Sequence, residues 1–143
     1  MKLLRKLKLL IGMCRYPSKV PTGLVPLSAL RTAVLYLASP FELTEPQKLE
    51  ISGFFQKYGI TAGFIYADTE VLKTDAELFI SLSVTDDIFE RHAAVTSTAR
   101  FKVGRHQLKN GTYDFVLSDV NPEEPVSVTE AFNEISKFLI TIQ

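Results

Sequence analysis

The chain predicts a three-layer α/β domain with about five strands in a mostly parallel sheet. Three observations carry this. Short apolar runs of strand length alternate with amphipathic segments of helical length. The clearest run, "TAVLYLA", is apolar without clean alternation, as in a strand covered on both faces. Cap and turn residues punctuate the boundaries between runs. The 143 residues fit one domain, and ten Phe, five Tyr and a 46% hydrophobic fraction are enough for a core and too many for a disordered chain.

The elements follow in order. "MKLLRKLKLLIGMCRYP" predicts a helix in which Leu3, Leu4, Leu7, Leu10, Ile11 and Cys14 share one face. Lys2, Arg5, Lys6 and Lys8 lie largely off that stripe. Pro17, Pro21, Gly23 and Pro26 then make residues 17–31 an extended connector. Thr32 to Ala38 is the first strand. A helix follows, with Thr44 as N-cap, Pro46 in the first turn and Gly59 at the stop. Leu49, Phe54 or Phe55, and Tyr58 are expected to face the sheet. Residues 60–67 and 78–83 are the second and third strands, joined by a short polar connector. The next helix is capped by Thr85 or Asp86, with Ile88, Phe89, His92 and Val95 near one face. "RFKVG" is a fourth strand and "YDFVLSD" a fifth. Asn110-Gly111 between them is a tight-turn signal, so this pair is expected as an antiparallel edge hairpin. Ser127 and Glu130 form a capping box, and Val128, Ala131, Phe132, Ile135, Phe138, Leu139 and Ile142 trace the apolar stripe of a last helix. Alternating strands and helices of this kind suit a Rossmann-like or flavodoxin-like sheet.

Three segments result: a basic amphipathic arm (1–16), a Pro-rich connector (17–31) and one α/β domain (32–143). Net charge is zero, but residues 1–31 hold seven Lys/Arg and no acid, while the rest hold nine basic and sixteen acidic residues. The split is therefore +7 against −7. A basic arm on an acidic body points to an anionic partner, or to docking on the body itself. Lys8 interrupts the apolar run of the arm, which argues against a secretory signal or a membrane span. The arm, through Lys2, Arg5, Lys6 and Lys8, is expected to contact a protein partner, a second copy, its own body, or a membrane surface through residues 1–14. Nucleic acid fits poorly, because no aromatics interleave with the cations. Cys14 is the one cysteine, so nothing calls for an oxidising compartment, and the expected location is the cytoplasm or its membrane face.

The run "ARFKVGRHQLKNGTYDFVLSD", after "LFISLS" and a helix, resembles an uncharacterised bacterial family, a domain of unknown function. Its pattern pairs a segment like "A-x-F-x-V-G" with "Y-D-x-x-(I/L)" after a turn. The matching residues here are Ala99, Phe101, Val103, Gly104, Tyr113, Asp114 and Leu117. The resemblance implies a small α/β body behind a basic N-terminal helix. A more distant similarity is to the N-terminal half of heptosyltransferase-like glycosyltransferases, and it implies a Rossmann-like topology. The acidic base those enzymes carry after the first strand is replaced here by Ser39 and Pro40.

Chemistry is sparse. GxGxxG, GxxxxGK and GxSxG are absent, and the first turn, "SPFELTEP", has no glycine to admit a phosphate. One Cys and two His supply no metal set, and no cofactor is expected. Arg100, Lys102, Arg105, His106 and Lys109 form a candidate anion patch, with Gly104 permitting close backbone approach. The bland alternative is a solvated edge whose cations discourage strand pairing. Two readings remain: a non-enzymatic interaction module with a docking arm, and an anion- or phosphate-binding, degenerate transferase-like domain.

Overall fold

The computed structural model describes residues 2–15, 17–67, 75–84, 87–108, 111–117 and 126–142, with the side chains of Lys2 and Arg15 outside that description. In chain order these form α1 (Lys2–Arg15), a 3₁₀ turn (Leu27–Ala29), β1 (Thr32–Leu37), α2 (Glu45–Gln56), β2 (Thr61–Tyr66), β3 (Leu78–Ser81), α3 (Ile88–Thr96), β4 (Phe101–Gly104), β5 (Phe115–Val116) and α4 (Val128–Thr141). The five strands make one parallel sheet in the order β2-β1-β3-β4-β5. This is a three-layer α/β fold with the flavodoxin-like strand order.

Alternation along each strand divides the apolar side chains between two layers. Ala33, Leu35, Leu37, Leu78, Ile80, Phe101 and Val103 pack with Ile51 and Phe55 of α2 and Phe132, Ile135 and Leu139 of α4. Val34, Tyr36 and Phe79 point the other way, into a cluster with Ala93 and Ala94 of α3, Leu108, Tyr113 and Leu9 of α1. Right-handed crossovers account for the split. The step from β1 to β2 runs one way along the sheet and carries α2. The steps from β3 to β4 to β5 run the other way and carry α3 and residues 105–108 and 111–114. The N-terminal helix α1 lies in that second layer, beside α3.

Local chemistry sets the helix ends. Thr44 and Gln47 form a reciprocal capping box at α2, with Pro46 in the first turn. Gly59 takes φ +73° where that helix unwinds. Ser127 caps α4, and the predicted stripe of α4 is the one that packs. Two expectations are corrected. Ile51 and Phe55, four residues apart, are the buried pair of α2, while Leu49 and Tyr58 are exposed. The cap of α3 is Asp87, whose carboxylate accepts from Glu90 N at 2.8 Å; Thr85 and Asp86 lie outside the described residues.

The predicted edge hairpin is also corrected: β5 runs parallel to β4, with Val103 opposite Phe115. Gly111 has φ +69° and donates its N–H to Leu108 O, while Asn110 of the predicted turn lies outside the described residues. Gly111 therefore stands in a connection between parallel strands and not in a hairpin. Gln107 closes that crossover by bonding Tyr113 N and Tyr113 O, each at 2.9 Å. Asp114 then donates its N–H to Lys102 O and accepts Lys102 N–H on its carboxylate, both at 2.8 Å. With the amide and carbonyl of Lys102 both taken, an antiparallel ladder has no partner there.

Candidate functional site

The predicted cations of "RFKVGRH" are not brought together. At the start of β4, Arg100 donates to Ala29 O (3.1 Å) and pairs with Glu77 (3.3 Å). Lys102 is buried within the strand, where desolvation pushes its ammonium below the usual lysine range against the pull of Asp114. Beyond the other end of the strand, Arg105 is buried and donates to Leu82 O (3.3 Å) and Val126 O (2.8 Å), joining the end of β3 to the approach of α4. His106 Nε2 lies 3.1 Å from Glu90 Oε1. Lys109 is outside the described residues. Among the described residues, Arg100, Arg105 and His106 are committed to protein acceptors at opposite ends of the strand, and no shared anion patch forms.

Gly104 has a different use from close approach to a ligand. A Cβ there would stand 2.5 Å from the Tyr113 ring. That ring stacks near Phe79, and its hydroxyl donates to Glu90 Oε2 at 2.5 Å. Glu90 is fully buried on α3. Burial pushes its carboxyl up, while hydrogen bonds from Tyr113, His106 and Ser81 pull the other way. The arrangement ties the segment after β4 to α3 through a polar contact that is buried at Glu90 and Tyr113 and partly exposed at His106.

In this strand order the crevice for ligands lies past the C-terminal ends of β1 and β3. Its β1 loop turns its amides onto itself: Ser39 N donates to Glu42 Oε1 and Phe41 N to Ser39 Oγ. The start of α3 is occupied by the carboxylate of Asp87, which also accepts from Tyr36 OH at 3.1 Å. Desolvation and that carboxylate push the Tyr36 phenol far above its usual range. An incoming phosphate would meet a resident negative charge in the place where helix amides usually receive it.

The N-terminal helix is the unusual feature. It holds the body with Leu9 and Met13, with Gly12 against the His92 ring, and with Arg5 lying 5.6 Å over Phe89. A Cβ on Gly12 would sit 3.0 Å from His92 Nε2. Desolvation and the nearby Arg5 hold His92 below its usual pKa, and its Nδ1 has no hydrogen-bond partner. The apolar stripe faces the other way. Leu3 is 81% exposed, and Leu4, Leu7, Leu10 and Ile11 are 44–57% exposed. Cys14 is exposed on the same arc. Lys6 and Lys8, also exposed, flank the stripe on its two sides. Beside it opens a groove of about 470 Å³ lined by Lys6, Leu10, Asp87, Ile88, Phe89 and Arg91. No described helix is long and apolar enough to cross a membrane.

Compared with known proteins, the chain matches no family model, and no curated protein or solved structure is significantly similar to it.

The leucine stripe was legible at helical spacing, but spacing does not say which face a helix turns inward. Glu90 carries no such signal in the sequence. A glutamate three residues after an N-cap reads as a dipole partner, and its burial depends on Tyr113 and His106 arriving from another part of the chain.

Proposed function

We propose that the protein is a non-enzymatic docking module: an α/β body that carries α1 as a ready-made contact surface. One observation supports this above the rest. The apolar arc of α1 is turned to solvent, and a different and narrower face attaches the helix to the body. A helix whose leucines served the fold would do the reverse. Contiguous exposed apolar surface bordered by polar residues is characteristic of interaction sites. Gly104, Tyr113 and Asp114 fit this reading as scaffold, since they lock the segment after β4 and leave the surface to α1.

The test compares the full chain with a Leu7→Glu/Leu10→Glu variant by velocity sedimentation of extracts from the native cells. The wild type is expected in a fast-sedimenting fraction and the variant as a free monomer, with the same thermal transition for both. Identical sedimentation of the two as free monomers would remove the reading.

A further inference from the structure

We infer that the partner of α1 is the surface of an anionic lipid bilayer, on which the helix lies in the plane of the headgroups. The inference rests on the docking reading above and names the occupant of that same face.

Fourteen residues of helix span about 21 Å, so α1 is too short to cross the hydrocarbon core and is suited to lying along it. Its cross-section matches that position. Leu3, Leu4, Leu7, Leu10 and Ile11 form the immersed arc. Lys6 and Lys8 stand one on each shoulder, where their alkyl stems can follow the leucines while the ammonium groups reach phosphates. The groove at the Lys6 shoulder continues the apolar surface through Leu10, Ile88 and Phe89 and adds Arg91 from α3. It also contains Asp87, whose carboxylate is engaged by Tyr36 and the α3 backbone.

Charge selects among the occupants. Residues 1–31 carry +7 without an acid, and the remainder carries −7. A negative surface attracts the arm and repels the body, which orients the molecule with α1 foremost. A second copy would set two acid-free basic segments against each other. A neutral apolar partner would leave Lys6 and Lys8 without counterions.

The experiment uses the full-length protein and sedimentation with vesicles, either phosphatidylcholine alone or phosphatidylcholine with roughly one third phosphatidylglycerol. Light scattering without lipid is run in parallel. Cys14, the chain's one cysteine, carries an environment-sensitive fluorophore. Binding to the phosphatidylglycerol vesicles is expected to exceed binding to phosphatidylcholine by about tenfold or more, to fall steeply with added salt, and to shift the Cys14 label to the blue. Leu7→Glu/Leu10→Glu is expected to abolish both signals, and Lys6→Glu/Lys8→Glu to abolish the lipid preference, with unchanged circular dichroism. Equal binding to both vesicle types overturns the anionic assignment. No vesicle binding, with a dimer that Leu7→Glu/Leu10→Glu dissolves, overturns the lipid inference and leaves the docking reading standing. No vesicle binding by a monomer that Leu7→Glu/Leu10→Glu leaves sedimenting unchanged in extracts removes both.

Discussion

Gly104 has one neighbour that decides its identity, the Tyr113 ring. That ring cannot swing away cheaply, because Glu90 holds its hydroxyl and Phe79 lies beside it. Gly104→Ala is therefore expected to cost about 1–3 kcal/mol in urea unfolding. Gly104→Ala/Tyr113→Leu should cost less than the sum of its single changes, because the clash is between those two residues. Strict additivity would show that the contact is not the cause. Glu90 offers a second test. Glu90→Ala removes the acceptor of the buried Tyr113 OH and of the partly exposed His106, and is expected to cost about 1–3 kcal/mol, chiefly through Tyr113. A loss under about 0.5 kcal/mol would mean that water replaces the carboxylate. Alternation along β4 places Lys102 opposite Phe101 and Val103, which the sequence also says. It does not say that both faces are covered, because the second cover comes from Tyr113, eleven residues after Lys102.

At the scale of elements, α1 and α3 meet through Gly12 and His92. His92 is held below its unfolded pKa of about 6.5, by desolvation first and by Arg5 second. A depressed pKa makes the stabilising contribution complete above the unfolded value. It is lost as pH falls through the folded value. The groups facing His92 from α1 thus include a cation and no acid, and protonation sets charge against charge. Urea unfolding at pH 7.5 and 5.5 is expected to show lower stability at the acidic pH, and His92→Leu is expected to flatten that part of the difference. A variant with the same slope as the wild type would assign it elsewhere. The helices themselves were readable because their signals are local: Thr44 as N-cap with Pro46 behind it, Ser127 as N-cap, Gly59 at a stop. The reciprocal capping box stands at Thr44 and Gln47, whereas the one expected at Ser127 and Glu130 shows only its Ser127 half. The direction of β5 was not, because an Asn-Gly turn looks the same inside a hairpin and inside a crossover. The difference lies in Gln107 and Asp114, whose side chains bond across the segment.

Across the whole molecule the two layers are unequally secured. One layer holds α2 and α4, and α4 alone buries Ala131, Phe132, Ile135 and Leu139. In the other, α1 buries Leu9 and partly covers Met13. Native-state hydrogen exchange is expected to show α1 opening at a lower free energy than α4, as a sub-global unit. Exchange of both helices at the global free energy would contradict this. Three-layer architecture was legible from the alternation of runs. The place of α1 beside α3 was not, because nothing in a leading helix states which side of the later sheet it will join.

That placement also sets an order of events in time. Gly12 and His92 are 80 positions apart. At about 5–20 residues per second, a ribosome adds α3 some 4–16 s after α1. Throughout that interval residues 2–15 have no α3 to rest on. A nascent chain stalled between β1 and α3 exposes more of α1 than the finished protein ever does, and a surface that captures the outer arc can do so before the body exists.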